Sequence, residues 1–198
     1  MVIFKYGQTE IDHLSQRDPM LGKAIATIGM IERELYPDLF AALIRNIVAQ
    51  QISKQAAATV WNRIVAAFGV VTPAKIAAAD IATIQQLGLS LRKAGYIKHA
   101  AEAVIDGQIC LEKLPHLSDE QVIAQLTQLP GVGVWTAEML LLFSLARPDV
   151  LSWGDQALRR GLRNLYGLED LTKDQFYRYK KRYSPYSSVA SLYLWELA

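Results

Sequence analysis

The chain has almost no cysteine: one residue, Cys110, among 198. A disulfide framework within the chain is excluded, as is a cysteine-ligated zinc site or iron–sulfur cluster. The pattern fits a reducing cytoplasm. Histidine is nearly as scarce, and His13, His99 and His116 have no ligand spacing, so no catalytic or metal role is assigned to them. Long apolar runs are missing too. The longest, MLLLFSLA at 139–146, falls far short of the roughly 20 residues a membrane span requires. The opening MVIFKYGQTEID lacks a signal-peptide pattern. Large net charge is also absent: 21 Lys plus Arg against 19 Asp plus Glu leave +2, so any basic surface is local. The expectation is a soluble, cytoplasmic monomer without membrane contact.

What is present is helical. Apolar residues make up 52% of the chain, enough for a sizeable core, and they recur mostly at helical spacing. The pattern predicts an all-α chain of about ten short helices. An early pair covers Ile11–Leu14 and Pro19–Leu35, the second after the start signal Asp18–Pro19. The stretch from Asp38 to Gly69 breaks at QQIS, residues 50–53. Thr72, Asp80 and Ser90 are N-cap candidates for the next three helices. Ser118 and Gln121 form a capping box for another. Helices then follow over Val134–Leu145, from Asp155, over KDQFYRYKKRY and over YSSVASLYLWEL. No repeat, low-complexity tract or linker interrupts them.

The stretch LPGVGVWTA, 129–137, carries the first functional signal. Gly131 and Gly133 after Pro130 allow a sharp turn that leaves backbone amides uncovered. Those amides run on into the N-terminus of the helix that begins with Val134, Trp135 and Thr136. Such a nest suits an anion and fits a DNA phosphate. PGVG alone reads equally well as an ordinary helix connection. The longer pattern, with its leucine, proline, glycines and Thr136–Ala137, is a helix–hairpin–helix motif, a sequence-independent binder of DNA backbone.

With Asp155 following at this distance, the chain resembles the helix-hairpin-helix–GPD superfamily of DNA glycosylases. Within it the chain is similar to the AlkA-type 3-methyladenine DNA glycosylase II branch. LSQRDPMLGKAI, FAALIRNIVAQQIS, LGLSLRKAGYIKHAA and YSPYSSVASLYLW agree, so the match runs from about residue 11 to the end. Larger members carry an N-terminal β domain, and this chain is expected to be a minimal form without one. The resemblance implies two helical subdomains with an active cleft between them. One, at 39–147, carries the hairpin; the other joins 1–38 with 148–198.

The resemblance makes Asp155 the catalytic residue. Cleavage of an N-glycosidic bond passes through a cationic sugar, and a nearby carboxylate stabilises that charge and orients or deprotonates water. The helix dipole favours the anion there. The plainer reading of Asp155 is an N-cap, and the two roles are compatible. Family members that also cut the strand carry a lysine nucleophile two residues after the second hairpin glycine. Trp135 stands there, so a monofunctional enzyme that leaves an abasic site is expected. The flipped base would be held by Trp135 and Trp195, whose indole faces attract cationic purines such as 3-methyladenine and 7-methylguanine. A family pocket aromatic is replaced by Met139. The alternative for both tryptophans is core packing.

Gln51 matches the residue that plugs the gap left by the flipped nucleotide, and otherwise reads as an exposed polar turn. Arg159 and Arg160 pair with Asp155, touch phosphate or line a solvated face. The arginine of the family's closing stretch is Ser187 here. No cofactor is required by this reading. The resemblance implies a sodium or potassium ion held through the backbone carbonyls of Thr127, Leu129 and Val132. The expected partner is double-stranded DNA with a damaged base. Two rivals stand beside this reading: a non-catalytic DNA-binding module, and a glycosylase for hypoxanthine, uracil or an oxidised base.

Overall fold

The structure is a computed structural model and describes residues 2–198. In chain order the elements are β1 (Val2–Ile3), α1 (Gln8–Arg17), α2 (Pro19–Ile28), β2 (Glu34–Leu35), α3 (Leu39–Ala49), α4 (Lys54–Phe68), α5 (Pro73–Ala78), α6 (Ile81–Gln86), α7 (Leu91–Ile105), a 3₁₀ segment (Leu111–His116), α8 (Asp119–Leu126), α9 (Val134–Phe143), α10 (Gln156–Tyr166), α11 (Lys173–Tyr183) and α12 (Ser187–Glu196). The chain is all-α apart from the two-residue pair β1–β2, antiparallel with Val2 opposite Leu35. No helix among the described residues is long and apolar enough to cross a membrane.

Most starts follow the expected chemistry. Asp18, Asp38, Ser53, Thr72, Ser90 and Ser118 each accept a backbone N–H of the first turn. Asp80 precedes α6 without making its cap bond. One predicted helix is too long. Pro19–Leu35 stops at Ile28, and the residues beyond turn back on the N-terminal segment. Ile31 N donates to Tyr6 Oη at 2.8 Å and Phe4 N to Arg33 O at 2.8 Å. Ile25, Ile28, Ile31 and Leu35 sit at helical spacing, yet the backbone partners lie in β1 and its neighbours.

The chain packs as two compact units, one joining the residues up to Leu35 with Leu141–Ala198, the other Tyr36–Leu140. The sequence draws the limits at 39 and 147. Tyr36 sits under the Arg45 guanidinium of α3, 4.2 Å from ring centroid to Cζ. At the other limit the chain passes from unit to unit inside α9, whose Phe143 stacks on Trp195 of α12.

The first unit is built around α10. Its core gathers Leu14, Leu21, Leu158, Leu162, Phe176 and Tyr193 among others. Gly161 lies so close to α12 that a Cβ there would overlap the Leu194 carbonyl. At the far end of α10, Tyr166 Oη donates to Asp18 Oδ2 at 2.5 Å, and Arg182 Nη1 donates to the same oxygen at 2.7 Å. Asp18 is only 1% exposed, and its other oxygen caps α2 through Leu21 N. Burial pushes its carboxyl pKa up, but the bonds from Tyr166, Arg182 and Leu21 N outweigh that and hold it below the usual carboxylate value. Burial pushes both Tyr166 and Tyr183 above the usual phenol value.

In the second unit α7 packs against α3, α5 and α6. The small residues Ala94, Ala100, Ala101 and Ala103 are buried there. Two of its lysines close other helices. Lys98 Nζ donates to the carbonyls of Ala77 and Ala79 behind α5. Lys93 Nζ does the same to Val48 and Gln50 behind α3, at 2.8 and 2.5 Å. Both satisfy carbonyls that a helix end leaves unpaired.

Asp18→Ala is expected to cost about 2–3 kcal/mol, since it strips a buried acceptor from two side-chain donors and a cap. Asp18 has a lowered folded pKa, so its contribution is present above its unfolded value of about 3.9 and fades as pH falls through the folded value. Urea midpoints measured from pH 7 to pH 2 should show a shallower acid decline in the variant. An unchanged decline would contradict the assigned role.

Candidate active site and nucleic-acid interface

The hairpin forms as its residue types dictate. Val132 N donates to Leu129 O at 3.0 Å, closing a turn with Pro130 and Gly131 at its centre. Gly131 has φ +80°, the left-handed value that the third position of a type II turn needs. The Tyr96 ring of α7 lies where a Gly131 Cβ would stand, so both conformation and space require glycine. α9 starts directly afterwards, its first intrahelical bond running from Ala137 N to Gly133 O at 3.1 Å. Gly133 and Val134 are at the surface, Val134 53% exposed. Exposed backbone at Gly133 and Val134 thus leads directly into the first turn of α9.

Gln50, not Gln51, is the glutamine that touches the hairpin. Its Nε2 donates to Gly131 O at 2.9 Å and to Thr136 Oγ1 at 3.1 Å. Thr136 is 2% exposed, so its hydroxyl serves this internal clamp. Gln51 is exposed and adopts φ +57°, a costly backbone region for a residue with a Cβ. Two adjacent glutamines are chemically alike, and nothing in the sequence says which one turns inward. Beside them opens a groove of about 510 Å³, lined by Gln50, Gln51, Ile52, Arg92, Lys93 and Tyr96 among others. Burial, with the neighbouring Arg92 charge, lowers the Lys93 pKa.

Trp135 and Met139 lie one turn apart on α9. Trp135 is half-buried, while Met139 is 4% exposed and belongs to the core of its unit. The Leu129 carbonyl is engaged by the turn bond, which leaves it a second lone pair. Among the described residues no three His, Cys, Asp or Glu side chains cluster in a way that would hold a metal.

The acid sits in the other unit. Asp155 caps α10, its Oδ1 accepting from Leu158 N at 2.9 Å, and it is 9% exposed. Its own N–H donates to Ser152 O, so both sides of the residue are fixed by backbone. Trp153, two residues earlier, packs edge-on against Phe176 of α11 and under the Arg159 guanidinium at 4.8 Å. Sequence reasoning passed over Trp153; an aromatic residue two positions before the acid was the available signal. Arg159 is half-buried and Arg160 exposed. Trp195 is half-buried and stacks on Phe143, centroids 5.4 Å apart at 23°. Ser187 N donates to Asp149 Oδ1 at 3.2 Å, tying the start of α12 to the loop before α10.

Residues 44–185 match a family described as HhH-GPD superfamily base excision DNA repair protein. DNA-3-methyladenine glycosylase 1 of Schizosaccharomyces pombe is 34% identical over 93% of this chain and 84% of its own length. Two solved structures are similar throughout. A DNA-3-methyladenine glycosidase from Bacillus halodurans gives a TM-score of 0.85 at 35% identity, covering 99% of this chain and 92% of that one. The Schizosaccharomyces pombe 3-methyladenine DNA glycosylase, in complex with abasic DNA, gives 0.86 at 32% identity, covering 96% of each.

The two glutamines should behave oppositely on substitution. Gln50→Ala removes the hairpin clamp and is expected to cost about 1–3 kcal/mol. Gln51→Gly relieves the left-handed backbone and should be neutral or stabilising by up to about 1 kcal/mol. Thermal melts of the two variants check this, and equal losses would refute the division of labour.

Proposed function

The chain belongs to the HhH-GPD superfamily of base excision DNA repair proteins, and from that premise we propose that it excises 3-methyladenine and related alkylated purines, 7-methylguanine among them, from double-stranded DNA. The names of the relatives support the lesion class. The observation that carries the chemistry is Asp155, an acid fixed at the start of α10 on the C-terminal side of the hairpin helix.

In this reading the hairpin amides and the exposed start of α9 grip a backbone phosphate, with the Gln50 and Tyr96 contacts holding the turn in its binding shape. Gln51 enters the gap left by the flipped nucleotide. Trp135 and Trp195 stack on the base, and Met139 shapes the pocket floor. The Asp155 carboxylate stabilises the positive charge that develops on the sugar and orients the attacking water. The base bears positive charge already, so it departs without a strong general acid. A monovalent cation, where bound, would be held by the carbonyls of Thr127, Leu129 and Val132 and would add positive charge beside the gripped phosphate. Trp135 offers no amine for a Schiff base, so water is the nucleophile and an abasic site the product.

The cap bond of Asp155 favours one rival, a binding module in which this residue only starts a helix. Asp155→Asn separates the two, because asparagine caps as well as aspartate but carries no charge. The glycosylase reading expects an unchanged melting temperature, retained DNA binding and base release slower by about 10²–10³-fold. A wild-type protein that binds methylated DNA and releases no base, followed by chromatography of free bases, would overturn it. The same chromatograms report hypoxanthine, uracil or oxidised bases if the lesion differs. Borohydride is expected to trap no adduct with abasic DNA; a robust adduct would refute hydrolysis as the sole step.

A further inference from the structure

One face of α10 remains without a partner. Gln156, Arg159, Arg160 and Arg163 recur at the spacing that aligns side chains along a helix, and with Asp170 and Leu171 they line a cavity of about 200 Å³. Like charges at these spacings repel. Among the described residues none of the three guanidinium groups pairs with a carboxylate, Asp170 included. Arg159 is held in place by Trp153 at 4.8 Å, and its Nε is buried without a hydrogen-bond acceptor. A buried donor left unpaired is costly, and a small shift of the Arg159 side chain would bring it to an acceptor held in the cavity.

We propose that the pocket formed by Arg159, Arg160 and Arg163 of α10 binds one phosphate group of the DNA strand near the excised base. The planar guanidinium fork matches phosphate oxygens in pairs. The volume argues for a single group, since pockets for whole metabolites run from about 300 to 1,000 Å³. Placement argues for the strand. Along the helix, Arg159 and Arg163 lie about 6 and 12 Å beyond Asp155, and successive nucleotides advance about 3.4 Å along the duplex axis. A phosphate seated there would be a few nucleotides from the sugar facing Asp155. This deepens the glycosylase reading and rests on it.

The test uses the full chain with Arg160→Gln, Arg160→Gln/Arg163→Gln and, as a charge control outside the pocket, Arg178→Gln on the exposed face of α11. Binding to an abasic-site duplex is measured by anisotropy across salt concentrations, with melting temperature as the folding check. The double variant is expected to bind about 10–100-fold more weakly near 0.1 M salt, with a salt slope shallower by about one to two. Arg178→Gln should change binding much less. Arg160 is exposed, so its single variant keeps the test alive if the double variant fails to fold. Folded pocket variants that match wild type in affinity and slope, or fall no further than Arg178→Gln, would overturn the proposal. Inorganic phosphate is titrated separately against the arginine Nε–H resonances. Saturable shifts with unaltered duplex affinity in the variants would assign the pocket to free phosphate, which also overturns it. Base release by the wild type is followed in the same samples. Its absence would sink the glycosylase reading while leaving the pocket result standing.

Discussion

The close approach of α10 to α12 at Gly161 is the constraint on which the first unit depends. Backbone meets backbone there, leaving no room for even a methyl group. The same helix is fixed at its start by the Asp155 cap and at its end by the Tyr166 bond to Asp18. A helix pinned at three levels cannot slide or roll without breaking buried contacts. The proposed catalytic acid thus inherits its position from packing across a whole helix as well as from its own bonds. Close packing of this kind resists graded adjustment, which is what an electrostatic role at a reacting sugar demands.

Much of the fold was legible because helical spacing and capping chemistry agree along the chain. The QQIS break, the Gly69 stop and the Ser118–Gln121 box all appear where residue types place them. The overlong helix at Pro19–Leu35 shows the limit. Its apolar spacing is genuine, but Ile31, Arg33 and the Glu34–Leu35 pair find their hydrogen-bond partners near the N-terminus, a distant relation that periodicity does not encode. The 3₁₀ segment Leu111–His116 escaped for a different reason: it holds Pro115 and is too short to establish a period.

At the candidate site the hairpin was readable almost residue by residue, because Pro130 and Gly131 have few alternatives in a tight turn. Its supports were not. Tyr96 comes from α7 and Gln50 from the end of α3, and neither carries a local signal that it faces the turn. Asp155 was readable as a cap. Arg159 and Arg160 were readable as a basic pair, but their cavity with Arg163 and the support from Trp153 emerge only once α10 and the loop around Asp170 are folded together.

The two lysines of α7 have a consequence for how the second unit comes apart. Each ammonium group clasps the carboxy-terminal carbonyls of a different helix, so α7 acts as a strut on which the ends of α3 and α5 are hung. Fraying at the end of α3 would have to dislodge Lys93, and with it the strand of chain that presents Gln50. Local melting in this unit is thereby coupled: the glutamine that steadies the glycine turn stays ordered only while a cation four helices further along the chain remains docked.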